Sequence, residues 1–135
     1  VLAGPAALRV LPDVVREPDL FVVPQEEVSE ARGAPLRVRP ALVVEVTSPP
    51  TRSMDLREKA VEYQEAGIPA YWVIDAEQRE VVVQRLEGSA VVVERLQGGK
   101  LLSRAVPGFW LEVDWLCQEP LPPVAACLEQ ILSGA

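Results

Sequence analysis

Three positions in this chain could together carry hydrolytic or metal chemistry. Asp19 follows Pro18 at the head of a β-rich run, Glu45 sits inside the apolar run 41–47, and Lys59 lies on the helix expected next. Glu45 is the most informative of them. A carboxylate within Leu42-Val43-Val44-Glu45-Val46 is costly to bury without a partner. Its neighbours Val44 and Val46 point to the opposite face of the strand. Glu45 could lie on the solvent side of an edge strand, pair with an arginine, or serve as a ligand. Asp19 alone says little, because Pro-Asp is a common turn dipeptide. Two carboxylates on adjacent strands, however, can converge on a hard cation such as magnesium, which prefers oxygen ligands and keeps several waters. Lys59 stands four residues after Asp55. Spacing alone favours a plain i,i+4 ion pair, worth about a few tenths of a kcal/mol, over a lysine turned into a polar pocket.

Composition removes other chemistries. The chain has no histidine, which excludes Ser-His-Asp and Cys-His catalysis and His-ligated zinc. Cys117 and Cys127 lack metal-type spacing and read as free thiols of an intracellular, cytoplasmic protein. No apolar run nears the roughly 20 residues that span a bilayer, so no membrane association is expected. No Gly-rich phosphate loop is present, and Ser48 and Thr51 are weaker anion-binding candidates near a helix N-terminus. The net charge of −7 argues against nucleic acid as a partner. The charge is uneven, however. From Arg32 to Lys59 there are six basic and three acidic residues, net +3, which leaves −10 on the remainder.

The 135 residues are expected to form a single domain, 1–135. Residues 8–15 read as a strand interrupted by Pro12, and 19–23 as a second short strand. Residues 25–40 read as a loop. The run 41–47 reads as a strand buried on both faces. A helix is predicted from Asp55 to residue 66, with Asp55 as N-cap, Glu58 completing a capping box, and Leu56, Ala60 and Tyr63 as its apolar stripe. Gly67 and Pro69 end it. Residues 70–75 are the next strand, so 41–75 has βαβ length and the two strands could be parallel. A hairpin is expected over 80–86 and 90–96, a last strand over 109–113, and a C-terminal helix over 124–132 with Pro123 near N1. Tyr71, Trp72, Trp110 and Trp115 read as packing residues.

The whole set, in order, resembles a known family. Pro18-Asp19-Leu20, Val43-Val44-Glu45-Val46-Thr47-Ser48-Pro49, Thr51-Arg52, Asp55, Lys59, Tyr63, Ala66-Gly67-Ile68 and Tyr71-Trp72-Val73-Ile74-Asp75 are similar to the Uma-two family of endonucleases. That family is similar in turn to the PD-(D/E)XK superfamily. The resemblance covers roughly residues 8–113 and implies an α/β (α+β) restriction-endonuclease-like fold, a mixed sheet flanked by helices. It also implies an N-terminal helical segment that this chain mostly lacks. By that resemblance Asp19 and Glu45 are metal ligands, the carbonyl of Val46 is a third, and the cofactor is magnesium or manganese. Thr47 occupies the place of the usual strand lysine, whose role passes to Lys59 on the next helix, and Asp55 is a supporting position. Asp19, Glu45 and Lys59 would form the catalytic set, with Arg37, Arg39 and Arg52 on the DNA backbone. The competing expectation is a non-catalytic descendant of the fold, serving as a binding or scaffold module, which the acidic remainder of the chain favours. A homodimer is expected by analogy with nucleases that cut two strands, with the valine-rich hairpin 80–96 as candidate interface.

Overall fold

A computed structural model describes residues 1–4 and 6–134. Its centre is a six-stranded mixed sheet in the order β1-β4-β5-β6-β7-β8, made of Leu2–Ala3, Leu20–Val22, Leu42–Val46, Ala70–Asp75, Glu80–Glu87 and Ala90–Leu96. β5 and β6 run parallel, in register from Leu42↔Ala70 to Val46↔Ile74, and the other neighbours are antiparallel. The parallel pair is joined by two short helices, α1 (Arg52–Leu56) and α2 (Glu58–Glu65), as βαβ length requires.

Alternation along β5 and β6 builds two cores. Val43, Tyr71 and Val73 face α2, where they meet Tyr63, Ile68 and Phe21. Leu42, Val44 and Trp72 face the other way, where they meet Leu101, Leu111 and Val113. Burying each such side chain stabilises the fold by about 1.5–3 kcal/mol. The first face is also covered by the hairpin of β2 (Leu8–Leu11) and β3 (Val14–Arg16). The second is covered by the two-stranded sheet of β9 (Lys100–Leu102) and β10 (Trp110–Glu112), with α3 (Val113–Cys117). α4 (Val124–Ser133) lies beside β10 with Val124, Leu128 and Leu132 exposed.

Several boundaries differ from the sequence reading. Residues 8–16 are not one interrupted strand but a hairpin, because Pro12-Asp13 turns the chain and Leu8 pairs with Arg16. The interconnecting helix begins at Arg52, three residues before Asp55. The turn Ser48–Thr51 starts it, with the Thr51 and Arg52 amides both donating to Ser48 O. Asp55 is therefore not an N-cap but a buried residue within α1, and no capping box forms. Arg57, at φ −120° and ψ −74°, separates α1 from α2. Gly67 closes α2 at φ +74°, a conformation that glycine adopts without strain. Pro123 caps α4 from outside the helix. The 3₁₀ turn Gln25–Glu30, β1, β9 and α3 were not anticipated.

The valines behind the expected interface divide. Val81, Val82 and Val83 on the interior strand β7 are core, while Val91 and Val93 on the edge strand β8 are exposed. Both cysteines are free thiols, and Cys117 is buried. No helix among the described residues is long and apolar enough to cross a membrane.

Candidate active site

Glu45 leaves β5 on the α2 side, the same side as Val43, and only 3 % of it is exposed. Three groups meet its carboxylate. Lys59 Nζ donates to Oε2 at 3.0 Å, Tyr63 OH donates to the same oxygen at 3.2 Å, and the Asp19 amide donates to Oε1 at 3.4 Å. Lys59 and Tyr63 are four apart, so one face of α2 presents both to the strand. The alternatives of an edge-strand Glu45 or an arginine partner are thereby removed: β5 is interior and the cation is Lys59.

Asp19 is exposed at the head of β4 and reaches across to β5, where its Oδ2 accepts the Val46 amide at 2.6 Å. Asp19 and Glu45 are thus clasped reciprocally through two backbone amides. Gly4 supports the clasp. Its amide donates to Asp19 O at 2.9 Å, and a Cβ there would lie 2.8 Å from Pro18 O, so the approach of this segment depends on glycine. Asp55, 2 % exposed, places Oδ1 at 2.8 Å from Lys59 Nζ. The i,i+4 pair that spacing favours is therefore present, but the same ammonium also serves Glu45.

The electrostatics follow from burial. Desolvation holds the Glu45 carboxyl above its ordinary pKa, Lys59 pulls it back, and Asp55 and Asp19 add to the rise. Burial lowers Lys59, but its contacts with Asp55 and Glu45 outweigh that and leave its pKa raised, so it is an ammonium. Desolvation and the neighbouring Glu45 charge push Tyr63 upward, which keeps its hydroxyl a neutral donor. Glu45 and Asp55 share one ammonium, and Asp19 stands beside Glu45 without one, an excess of negative charge that favours a cation.

The donor set fits a hard divalent ion. Asp19 Oδ1 has no partner among the described residues, and Glu45 Oε1 has only the long contact from the Asp19 amide. No point among the described residues gathers three acidic or cysteine side chains, and magnesium characteristically takes one or two carboxylates with waters.

Other expected site residues fall elsewhere. Thr47 is buried at the end of β5, its hydroxyl 3.3 Å from that of Thr51, and it joins strand to turn. Arg52 is committed to Asp75, through contacts of 2.5 and 3.1 Å, and is not a free cation for nucleic acid. Arg37 and Arg39 are exposed, on the segment leading into β5 and away from Glu45 at its far end. Tyr63 and Gly4 are the site neighbours whose roles were missed. The spacing of Tyr63 from Lys59 could have flagged it, but nothing in the sequence signals Gly4.

The Arg52 pair makes a pH prediction. Arg52 holds the Asp75 carboxyl below its ordinary value, aided by the Gln78 amide. A lowered carboxylate pKa contributes stability above the unfolded value, and that stability is lost as pH falls through the folded one. Arg52→Gln should therefore lower the melting temperature at pH 7, with the deficit closing as the medium is acidified below the carboxylate range. A deficit independent of pH in calorimetry would contradict this.

Comparison with known proteins agrees with the fold. A family model, Uma2, described as "Putative restriction endonuclease", matches residues 1–114. Among solved structures the chain is similar to one titled as a putative nuclease belonging to DUF820 from Anabaena variabilis, with a TM-score of 0.60 at 17 % identity. The match covers 78 % of this chain and 62 % of that one, so this chain spans under two thirds of its neighbour's length. No curated protein matches.

Proposed function

The chain belongs to the Uma2 family, and from that premise we propose that it is a magnesium- or manganese-dependent endonuclease that hydrolyses DNA phosphodiester bonds at Asp19, Glu45 and Lys59. The observation that carries this reading is the junction of the three. Lys59 Nζ is 3.0 Å from Glu45 Oε2, and Asp19 is clasped to the Glu45–Val46 stretch of β5. A scaffold has no need to bury such a set, because buried charge is costly.

Asp19 Oδ1, Glu45 Oε1 and the carbonyl of Val46 would hold the metal. A bound divalent ion supplies a Lewis acid and lowers the pKa of water. Lys59, with its raised pKa, holds its proton at neutral pH. It is therefore not the base but a positive charge that meets the negative charge growing on the phosphate oxygens. Asp55 holds Lys59 in place, and Tyr63 fixes the orientation of Glu45. A second copy, paired through the open edge of β8, would supply a site for the other strand.

Plasmid nicking in magnesium or manganese, beside metal calorimetry, tests the reading. Asp19→Asn keeps an acceptor for the Val46 amide but loses a charge. It should cut at least about 100-fold more slowly and bind metal more weakly. Metal binding by the parent chain without any cleavage would favour the non-catalytic descendant.

A further inference from the structure

The arginines of this chain fall into two groups. Arg16, Arg52, Arg85, Arg95 and Arg104 each meet a carboxylate. Among the described residues, Arg9, Arg32, Arg37, Arg39, Arg57 and Arg79 are within ion-pair distance of none, and Arg79 donates to Cys117 O instead. Four of them, Arg9, Arg32, Arg37 and Arg39, lie together. Arg9, Arg37 and Arg39 line an open groove of about 750 Å³ whose one acid among the described lining residues is Glu27, and Arg37 with Arg32 continues into an adjoining hollow. Four guanidinium groups against one carboxylate among the described lining residues, on a chain of net charge −7, make a concentrated positive surface.

The surface is built on fixed backbone. Leu36 bridges to Leu8, with its amide donating to Ala7 O at 2.8 Å and its carbonyl accepting the Arg9 amide at 2.8 Å. Residues 36–40 then alternate: Leu36, Val38 and Pro40 are buried, and Arg37 and Arg39 are exposed. Arg9 Nη1 is anchored on Pro12 O at 2.8 Å, and its buried Nε has no partner. Planar guanidinium forks set side by side match phosphate oxygens better than lysines would.

We propose that this groove is a second, non-catalytic contact for a nucleic-acid backbone. Only the nature of the bound polyanion rests on the nuclease reading. Arg39 lies against Gly67, at the C-terminal end of α2, and Lys59 lies at the N-terminal end. The two are separated by about 12 Å along the helix axis, or roughly three to four nucleotides of a single strand. A chain whose scissile phosphate meets Lys59 thus has further phosphates within reach of the groove.

The test is anisotropy of a short labelled DNA duplex in chelator, where no cleavage occurs. The Arg37→Ala/Arg39→Ala variant should bind at least about tenfold more weakly and lower the slope of log affinity against log salt by about 2. Arg104→Ala, on the opposite face, should change neither. Retained affinity and slope in the double variant, an equal loss in Arg104→Ala, or no duplex binding by the parent chain would each overturn the proposal. Because binding is read without metal, a chain that binds through the groove yet never cuts leaves this inference standing and removes the nuclease. A chain that cuts while the double variant binds normally does the reverse.

Discussion

Glu45→Gln is expected to lose metal-dependent cleavage by about 10³-fold or more and, without metal, to melt at a higher temperature than the parent at neutral pH. Glutamine keeps the length of Glu45 and an oxygen for Lys59 and Tyr63, so the packing of α2 on β5 persists. The charge is what disappears. Lys59 retains Asp55 at 2.8 Å and is not stranded. The stability gain follows from the direction of the Glu45 shift. Burial raises its folded pKa above the unfolded value, so the folded state holds the proton more tightly. Stability is then lost as pH rises from the unfolded pKa through the folded one, and above that window the parent carries the full cost of an ionised, desolvated carboxylate. Glutamine carries none of it, and the two proteins should converge below the window. Nicking rates, with melting curves across pH, read both halves. A variant that cuts normally would remove Glu45 from the chemistry. One that melts lower at neutral pH would mean that Lys59 more than repays the burial of Glu45.

Why Glu45 stood out in the sequence, and Tyr63 did not, is a matter of contrast. A carboxylate amid valines violates the burial pattern and is visible as a violation. Tyr63 satisfies the apolar stripe of α2, and its hydroxyl contact depends on a tertiary neighbour that no local pattern encodes. The parallel β5–β6 pair was legible because apolar runs of strand length flank a helix-length segment. The start of that helix was misplaced because Asp55 and Glu58 mimic a capping box, whereas Ser48 O had already begun the turn. Arg52 was read as a free cation because its partner Asp75 lies 23 residues away and becomes a neighbour only when β6 runs beside β5. Arg9 escaped notice because its place beside Arg37 and Arg39 comes from the Leu8–Leu36 bridge, a contact between distant segments. The cover over the second face, β9 with α3, was missed because its elements are too short for periodicity to register.

Lys59→Met should separate the two readings of this lysine by the size of its effect. As a surface i,i+4 partner of Asp55, Lys59 would contribute about a few tenths of a kcal/mol. As the only cation among the described residues between Glu45, 3 % exposed, and Asp55, 2 % exposed, it neutralises two buried carboxylates. Its removal leaves both uncompensated, at an expected cost of about 3 kcal/mol, or roughly 10 °C for a domain of this size. The deficit should shrink as pH falls. Without the ammonium the Glu45 carboxyl, already raised by burial, binds its proton still more tightly folded than unfolded, so its share of the penalty is present above its folded pKa and gone below the unfolded one. The same substitution should abolish cleavage, since among the described residues no other cation contacts Glu45. Two companions separate fold from chemistry. Lys59→Arg keeps the charge and should recover most of the stability. It should not recover cleavage, because a longer planar fork cannot occupy the position of a compact ammonium between Asp55 and the phosphate. Glu45→Gln combined with Lys59→Met removes both members of the pair, and should melt well above the sum of the two single effects, because one buried charge no longer stands unpaired. Additive melting shifts would place Lys59 back at the surface with Asp55, and the junction on which the proposed chemistry depends would lose its cation.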